Sequence, residues 1–148
     1  MPTSQIEPGE KRYKVLVTDD EASIRRSLQL MLHAKGYEPQ SYTSASALLA
    51  DAGALSADCL IADYNMPDLD GLSLLSAIRA KGWNGSAILI TAFCTEDLKL
   101  RAKACGYAEV IPKPFIRGPI LAALHRLCEC AEAGDCAEPG DQGPDCGC

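Results

Sequence analysis

Short apolar runs alternate with amphipathic segments along residues 13–128. The strand candidates are three to six residues long, and the first of them is rich in β-branched side chains, which is typical of strands. Between them, apolar residues recur three or four positions apart, which indicates helices that each bury one face. The strand candidates, in chain order, are Lys14–Thr18, 37–42, 59–62, 87–90 and 109–111.

The helix candidates carry recognisable start and stop signals. The first ends at Gly36, where a glycine suits the helix C-terminus, and the second covers 44–55 as one continuous helix. The fourth covers Glu96–Cys105, whose opening acids suit the positive end of a helix dipole. The last begins at Pro119, since proline is favoured as the first helical residue.

Strands that alternate strictly with helices predict a parallel sheet with helices on both faces. We therefore expect an α/β fold, a flavodoxin-like (βα)5 doubly wound sheet with strand order 2-1-3-4-5. Pro39 cannot donate a ladder hydrogen bond, so the second strand should lie on one edge. The fifth strand, which is followed by Pro112, should lie on the other edge.

Polar residues follow the apolar strands, directly after the first, third and fourth strands and one residue later, after Pro112, in the fifth. Asp19 and Asp20 follow the first strand, Asp63 the third, Thr91 the fourth and Lys113 the fifth. Ligands of open α/β sheets bind beyond the carboxyl ends of the strands, so these side chains should meet there. Clustered carboxylates suit a hard divalent cation such as Mg²⁺, and a carboxylate can also accept a phosphoryl group. A strand-end Asp alone would more simply cap the next helix, but helix capping does not predict all of these residues at one end.

These residues lie in segments that resemble a known family. The segments VTDDE, IADYNMPDLDG, TA and KPF occur in the order found in the receiver domain of bacterial two-component response regulators, the family that includes the chemotaxis receiver. The resemblance covers about residues 13–128. It implies a protein that takes a phosphoryl group from a sensor histidine kinase or a phosphotransfer protein and then alters a protein-binding surface.

The resemblance also implies residue roles. Asp63 would be the phosphoacceptor, and Asp19, Asp20, Asp63 and the backbone carbonyl of Asn65 would hold Mg²⁺ or Mn²⁺. Thr91, Ala92 and Lys113 would bind the phosphoryl group, and the Lys113–Pro114 bond would be cis. The family often has an aromatic residue where this chain has Val110, and Tyr107 lies three residues too early to replace it. This departure puts the usual coupling of threonine and aromatic side chains in doubt.

Charge divides the chain into a neutral body and an acidic tail. Residues 128–148 contain six acids and no Lys or Arg, whereas residues 1–127 contain 14 acids and 14 bases. Neither part has the basic footprint of a nucleic-acid binder, and no apolar run is long enough to span a membrane. With no secretory signal recognised either, we expect a cytoplasmic protein in a reducing compartment, which argues against a disulfide framework.

The tail is also rich in cysteine. Its thiols are possible ligands for Zn²⁺ or Cu(I), although their spacing is not that of common zinc sites, and a disordered acidic tail is the alternative. We predict that the chain consists of a flexible arm (1–12), a receiver domain (13–128) and a disordered acidic Cys-rich tail (129–148). The possible tail ligands are Cys128, Cys130, Cys136, Cys146 and Cys148.

About twenty residues remain after the last predicted helix, too few for a helix-turn-helix output domain. We therefore expect a stand-alone receiver that signals through its fourth helix, fifth strand and fifth helix to an unknown downstream protein, with no nucleic-acid or membrane partner. It should not be an enzyme beyond its own phosphorylation and dephosphorylation. The alternatives are a metal- or redox-sensing adaptor acting through the tail, a receiver fragment of a larger hybrid kinase, and an aspartyl-phosphate phosphatase. The phosphatase class usually needs an Asp where this chain has Asn65.

Overall fold

The computed structural model describes residues 13–66, 68–113 and 117–130. The arm predicted over 1–12, most of the tail predicted over 129–148 and the predicted cis bond at Pro114 lie outside these residues. The described elements follow each other as β1 (Lys14–Thr18), α1 (Ala22–Ala34), β2 (Glu38–Tyr42), α2 (Ala45–Ala50), a 3-10 helix (Ala52–Ser56), β3 (Cys59–Asp63), α3 (Gly71–Ala80), β4 (Ser86–Thr91), α4 (Glu96–Cys105), β5 (Glu109–Pro112), α5 (Arg117–Leu124) and a π-helical segment (His125–Cys130).

The strands form one parallel sheet in the order β2-β1-β3-β4-β5, as the sequence predicts. Pro39 lies in β2 and therefore on an edge, where its missing N–H disrupts no central ladder. Side chains alternate between the two faces of each strand. In β3, Cys59 and Ile61 join the apolar cluster that contains residues of α1 and α5, whereas Leu60 and Ala62 join the cluster of α2, α3 and α4.

The prediction of one continuous second helix over 44–55 is wrong. The α-helix ends at Ala50, Asp51 is extended, and a 3-10 helix follows. The Asp51 carboxylate accepts hydrogen bonds from the backbone N–H of Gly53, at 2.9 Å, and from the hydroxyl of Tyr42, at 2.6 Å. A short acidic side chain that binds the local backbone competes with the helical hydrogen-bond pattern, so the chain turns at this residue.

The other helix signals hold with small shifts. Gly36 follows the end of α1 with a positive φ of 89°, and Glu96 and Asp97 lie in the first turn of α4. The fifth helix begins at Arg117, two residues before the predicted start at Pro119. Pro119 is still tolerated there, because the first N–H groups of a helix have no partner within it. Among the described residues, we find no helix both long enough and apolar enough to cross a membrane.

Candidate functional site at the carboxyl ends of the strands

The carboxyl ends of β1, β3 and β5 bring three of the predicted residues into contact. Asp19 follows β1, Asp63 ends β3 and Lys113 follows β5. The Lys113 Nζ atom lies 3.1 Å from Asp19 Oδ2 and 3.3 Å from Asp63 Oδ2. Residues that are 44 to 94 positions apart in sequence therefore form one charged cluster, because parallel strands all end at the same edge.

A third carboxylate completes the acidic part of this cluster. One oxygen from each of Asp19, Asp20 and Asp63 lies within 4.8 Å of the others. Asp19 and Asp63 are buried, whereas Asp20 is exposed to solvent. Like charges this close repel each other strongly where water is excluded, so the arrangement favours a bound cation.

The backbone around Asp19 holds its carboxylate in place. The backbone N–H of Glu21 donates to Asp19 Oδ1 at 2.8 Å, and the Arg25 guanidinium donates to the Asp19 carbonyl at 2.7 Å. The second carboxylate oxygen, Oδ2, is buried and accepts no well-aligned hydrogen bond from the described residues, although Lys113 forms an ion pair with it. A buried carboxylate oxygen with spare acceptor capacity is a ready ligand for a metal ion.

Burial and charge together shift the pKa of Asp63. The pKa of Asp63 is raised to about 6: burial contributes most, the neighbouring Asp19 carboxylate also raises it, and the Lys113 ammonium opposes both effects. Burial likewise raises the pKa of Asp19 above its ordinary value, against the hydrogen bond from Glu21 and the charge of Lys113. For Lys113, burial lowers the pKa, but attraction to Asp19 and Asp63 outweighs it, so its pKa is raised and it stays charged.

The donor set therefore fits Mg²⁺. Three carboxylates supply hard oxygen ligands, one of them with an oxygen lacking an aligned hydrogen bond, and Mg²⁺ usually retains several waters alongside one or two carboxylates. The predicted carbonyl ligand belongs to Asn65, an exposed residue whose backbone N–H donates to Asp63 Oδ1 at 3.3 Å. Its role as a metal ligand stays a prediction.

Thr91 ends β4 beside this cluster and is completely buried. Its hydroxyl oxygen accepts a hydrogen bond from the backbone N–H of Phe93 at 3.1 Å, and its carbonyl accepts one from the Lys113 N–H at 2.8 Å. Ala92 follows it and is exposed. The predicted phosphoryl-binding roles of these residues remain predictions, but Thr91 and Lys113 are linked directly through the backbone.

Glu21 is a member of the site that the sequence reasoning missed. Its Oε1 atom lies 3.5 Å from Lys113 Nζ, so the ammonium faces a third acid besides Asp19 and Asp63. The Glu21 side chain is 59% exposed, which makes this contact much weaker than the two buried ones. The signal was available, because Glu21 directly follows Asp20 in the same strand-end loop.

The loop between Asp63 and α3 is held by hydrogen bonds at Asp68 and by close packing at Gly71. Asp68 accepts hydrogen bonds from the backbone N–H groups of Ala45 and Ser46 at the start of α2, and Ser46 also lowers the pKa of Asp68 to about 2. At the other end, a Cβ on Gly71 would lie 3.0 Å from the Asp63 carbonyl oxygen, a close approach that favours glycine. These contacts hold the loop that contains Asn65, whose backbone N–H donates to Asp63 Oδ1.

Val110 stands where the family often has an aromatic residue, and the nearby aromatic residue Tyr107 has different contacts. Val110 is half-buried and packs against the apolar cluster of α2, α3 and α4. Tyr107 is buried, and its hydroxyl donates to the Gly71 carbonyl at 2.6 Å. Tyr107 thus connects the start of β5 to the start of α3, and it occupies the interior rather than a surface position.

The structure places Cys128, one of the possible tail ligands, in the folded core, and its role as a metal ligand stays a prediction. Cys128 lies in the π-helical segment, is buried, and contacts Cys59 of β3. Of the other predicted tail ligands, the side chain of Cys130 and all of Cys136, Cys146 and Cys148 lie outside the described residues.

Comparison with known proteins decides the family. The family model described as "Response regulator receiver domain" matches residues 15–125. The chain belongs to this family. The receiver domain is the phosphate-accepting module of two-component systems, and the cluster of Asp19, Asp20 and Asp63 lies where such domains bind Mg²⁺.

Relatives of this receiver domain include larger proteins. The chain is 36% identical over 129 residues to the transcriptional regulatory protein FixJ of Azorhizobium caulinodans, a match that covers 86% of this chain and 58% of the relative. It is 33% identical over 112 residues to the DNA-binding transcriptional regulator NtrC of Proteus hauseri, covering 76% of this chain and 24% of the relative. The chain thus spans well under two thirds of the length of these relatives.

Solved structures confirm the fold. The chemotaxis protein CheY4 of Vibrio cholerae superposes with a TM-score of 0.74 at 29% identity, covering 79% of this chain and 99% of that chain. The response regulator TrrA of Thermotoga maritima, solved in complex with Mg²⁺ and a beryllofluoride, gives a TM-score of 0.68 at 28% identity, covering 78% of this chain and 98% of that one.

Proposed function

We propose that this chain is a response regulator receiver that accepts a phosphoryl group on Asp63 from a sensor histidine kinase or a phosphotransfer protein. The observation that carries the proposal is the contact of two buried carboxylates, Asp19 and Asp63, with the nearly buried Lys113 ammonium at 3.1 and 3.3 Å. Phosphoryl transfer needs mostly positioning and charge neutralisation, and this cluster supplies both.

In the transfer step, a carboxylate oxygen of Asp63 attacks the phosphorus of a phosphohistidine. The P–N bond breaks, its electron pair stays on the imidazole nitrogen, and the imidazole then takes a proton from solvent. Asp63 must be ionised to attack, and the Lys113 ammonium favours that form. Asp19, Asp20, Asp63 and the Asn65 carbonyl would hold Mg²⁺ or Mn²⁺, which when bound offsets negative charge on the phosphoryl oxygens.

The phosphoryl group then changes the surface formed by α4, β5 and α5. Thr91 connects the site to this surface, because its hydroxyl holds the Phe93 N–H at 3.1 Å and its carbonyl holds the Lys113 N–H at 2.8 Å. A new hydrogen bond from the Thr91 hydroxyl to the phosphoryl group, with Ala92 beside it, would displace the loop over 92–95. Phe93 and Leu100, 72% and 69% exposed, offer apolar contacts for a protein partner.

We further propose that the output is protein binding in the cytoplasm, without nucleic acid, membrane or any catalysis beyond self-phosphorylation and self-dephosphorylation. The neutral charge of residues 1–127 supports this choice, since DNA-binding surfaces are basic. The transcription regulators among its relatives extend beyond the matched region, so DNA binding by an additional segment is the competing output.

The test is incubation with Mg²⁺ and acetyl phosphate, followed by intact-mass measurement for one added phosphoryl group. We expect incorporation in the wild type, none in Asp63→Asn and none with a chelator. Asp70→Asn is the matched control, because Asp70 lies in the same loop, accepts from Ser73 N–H at 2.8 Å as a helix cap, and Asn caps equally well. Full incorporation in Asp63→Asn, or loss in Asp70→Asn alone, would contradict the assignment.

A further inference from the structure

Two buried cysteines face each other at the amino ends of the strands, away from the carboxylate cluster. Cys59 is the first residue of β3, and Cys128 lies in the π-helical segment that continues α5. Their Sγ atoms are 2.6 Å apart, and no disulfide joins them. The two residues are 69 positions apart in sequence, so this contact is a product of the fold and has no local motif.

We propose that Cys59 and Cys128 are a reversible redox site, at which a peroxide or a small-molecule disulfide drives formation of an intramolecular disulfide that fastens the C-terminal helical segment to β3.

Geometry is the first argument for the site. A disulfide requires the two side chains to converge and the sulfurs to approach to about 2.0 Å. The two thiols already contact each other at 2.6 Å, so the sulfur atoms need to approach only slightly further for the bond to form. Both residues belong to the same apolar cluster, which holds them in this orientation.

Access and order of reaction follow from burial. Cys59 is completely buried, whereas Cys128 retains 6% exposure near the end of the described chain. The hydrogen bond with Cys128 and burial both raise the pKa of Cys59, which makes it a poor first nucleophile. Cys128 is therefore the thiol that meets the oxidant, and Cys59 is the resolving thiol.

The chemistry balances with hydrogen peroxide as the oxidant. The Cys128 thiol attacks one peroxide oxygen, the O–O bond breaks, and a sulfenic acid and one water form. The Cys59 sulfur then attacks the Cys128 sulfur, the S–O bond breaks, and a second water leaves as the disulfide forms. The two thiols lose two electrons and two protons in total, and a dithiol reductant reverses the reaction by thiol–disulfide exchange.

The π-helical winding supports a functional role for this segment. π-helical turns are rare and frequently mark functional positions, and here the segment brings Cys128 onto the sheet. A bond to β3 would fix the segment that leads from α5 into the acidic tail. Because the crosslink closes a loop of 69 residues, it should also restrict the unfolded chain strongly.

The test begins with fully reduced protein treated with hydrogen peroxide or with oxidised glutathione. Remaining thiols are then alkylated in denaturant, and the alkyl groups are counted by intact mass against the eight cysteines of the chain. We expect two fewer alkylated thiols. Peptide mapping under non-reducing conditions should show the peptides of Cys59 and Cys128 linked to each other. We also expect a melting temperature that rises by roughly 5–15 °C on oxidation and falls back on reduction.

Cys59→Ala and Cys128→Ala should each abolish both the linked peptides and the rise, whereas Cys94→Ser, a half-buried cysteine elsewhere in the fold, should keep them. The mapping is done on the wild type, so it stays decisive even if a core variant fails to fold. A map that links Cys128 to Cys130 or to a later cysteine would overturn the proposal. So would a Cys59 that stays fully alkylated after Cys94 has been oxidised.

Discussion

The two ends of β3 have opposite surroundings, since one end is charged and the other is apolar. At its carboxyl end Asp63 belongs to a cluster of three carboxylates and one ammonium, whereas at its amino end Cys59 joins an apolar cluster. The two residues are four positions apart on the same strand and therefore on the same face of the sheet. A chain can thus place a ligand site and a tightly packed contact about 13 Å apart on one element.

The difference lies in what each end leaves unsatisfied. Asp19 Oδ2 lacks an aligned hydrogen bond from the described residues, and the pKa of Asp63 is raised to about 6. That end is incomplete without a cation or phosphoryl group. The thiols of Cys59 and Cys128 satisfy each other and need nothing from solvent. The carboxylate cluster therefore favours binding of a cation, whereas the two buried thiols chiefly contact each other.

The largest effect should follow removal of one charge at the carboxyl end. Asp19→Asn keeps the shape of the side chain but removes an anionic ligand, so Mg²⁺ affinity should fall by about 30-fold or more, or about 2 kcal/mol. Calorimetric or fluorescence titration with Mg²⁺ measures this loss. Asp70→Asn, which keeps its helix cap, should bind Mg²⁺ like the wild type. Unchanged affinity in Asp19→Asn would remove this residue from the metal site.

This carboxyl end is also where the sequence was most informative. The five strand-end residues could be predicted because a parallel sheet converts positions after apolar runs into spatial neighbours. The break in the second helix could not, because it depends on hydrogen bonds from Tyr42 and Gly53 to Asp51. Glu21 was missed because its contact with Lys113 depends on side-chain direction, which a strand-end rule does not specify.

The contact of Cys59 with Cys128 at the amino end of β3 could not be predicted from the sequence. Cys128 stands beside an acidic, cysteine-rich stretch, so composition assigned it to the tail. Its burial results from the length of the last helix and from the π-helical winding that follows α5, neither of which has a strong sequence signal. Long-range pairing of two small apolar side chains is set by packing, and packing is not visible in periodicity alone.

A polar replacement at the amino end should destabilise the protein next most strongly. Cys59→Ser buries a hydroxyl in an apolar cluster, so the free energy of unfolding of the reduced protein should fall by about 1–3 kcal/mol. Urea denaturation measures this change. Cys94→Ser, at a half-buried position, should change it by less than about 0.5 kcal/mol. Equal effects of the two substitutions would show that the cluster around Cys59 is not tightly packed.

Acid should weaken the carboxyl end in a defined pH range. The pKa of Asp63 in the folded, metal-free protein is about 6, so protons compete with Mg²⁺ for this carboxylate below that value. Apparent Mg²⁺ affinity should therefore be level above pH 6 and fall by up to about tenfold for each pH unit below it. Mg²⁺ titrations between pH 5 and 8 test this, and Asp63→Asn should show a much flatter profile. A wild-type profile that is flat down to pH 5 would contradict the raised pKa.

Removal of the ammonium should act in the opposite direction from removal of an acid. Lys113 competes with a metal ion for Asp19 and Asp63, so Lys113→Met should bind Mg²⁺ more tightly, by roughly fivefold or about 1 kcal/mol. The same titration measures the change, and 1 M salt should not remove it, because the pair is nearly buried. Weaker binding in Lys113→Met would show that the lysine chiefly positions the carboxylates.

The smallest effect is expected at Val110, which tests how the charged end communicates with the rest of the molecule. Val110 is half-buried and its β-branched side chain has a stiff χ1, so it cannot sweep out the volume of a rotating aromatic ring. Val110→Ala should lower the free energy of unfolding by less than about 1 kcal/mol and leave the response to beryllofluoride nearly intact. Thr91→Ala, by contrast, removes the hydroxyl that holds the Phe93 N–H, so it should abolish the response of the loop over 92–95. Amide hydrogen exchange with and without beryllofluoride reads both variants, and changes confined to α1 and α2 in the wild type would rule out this route through β4 and α4.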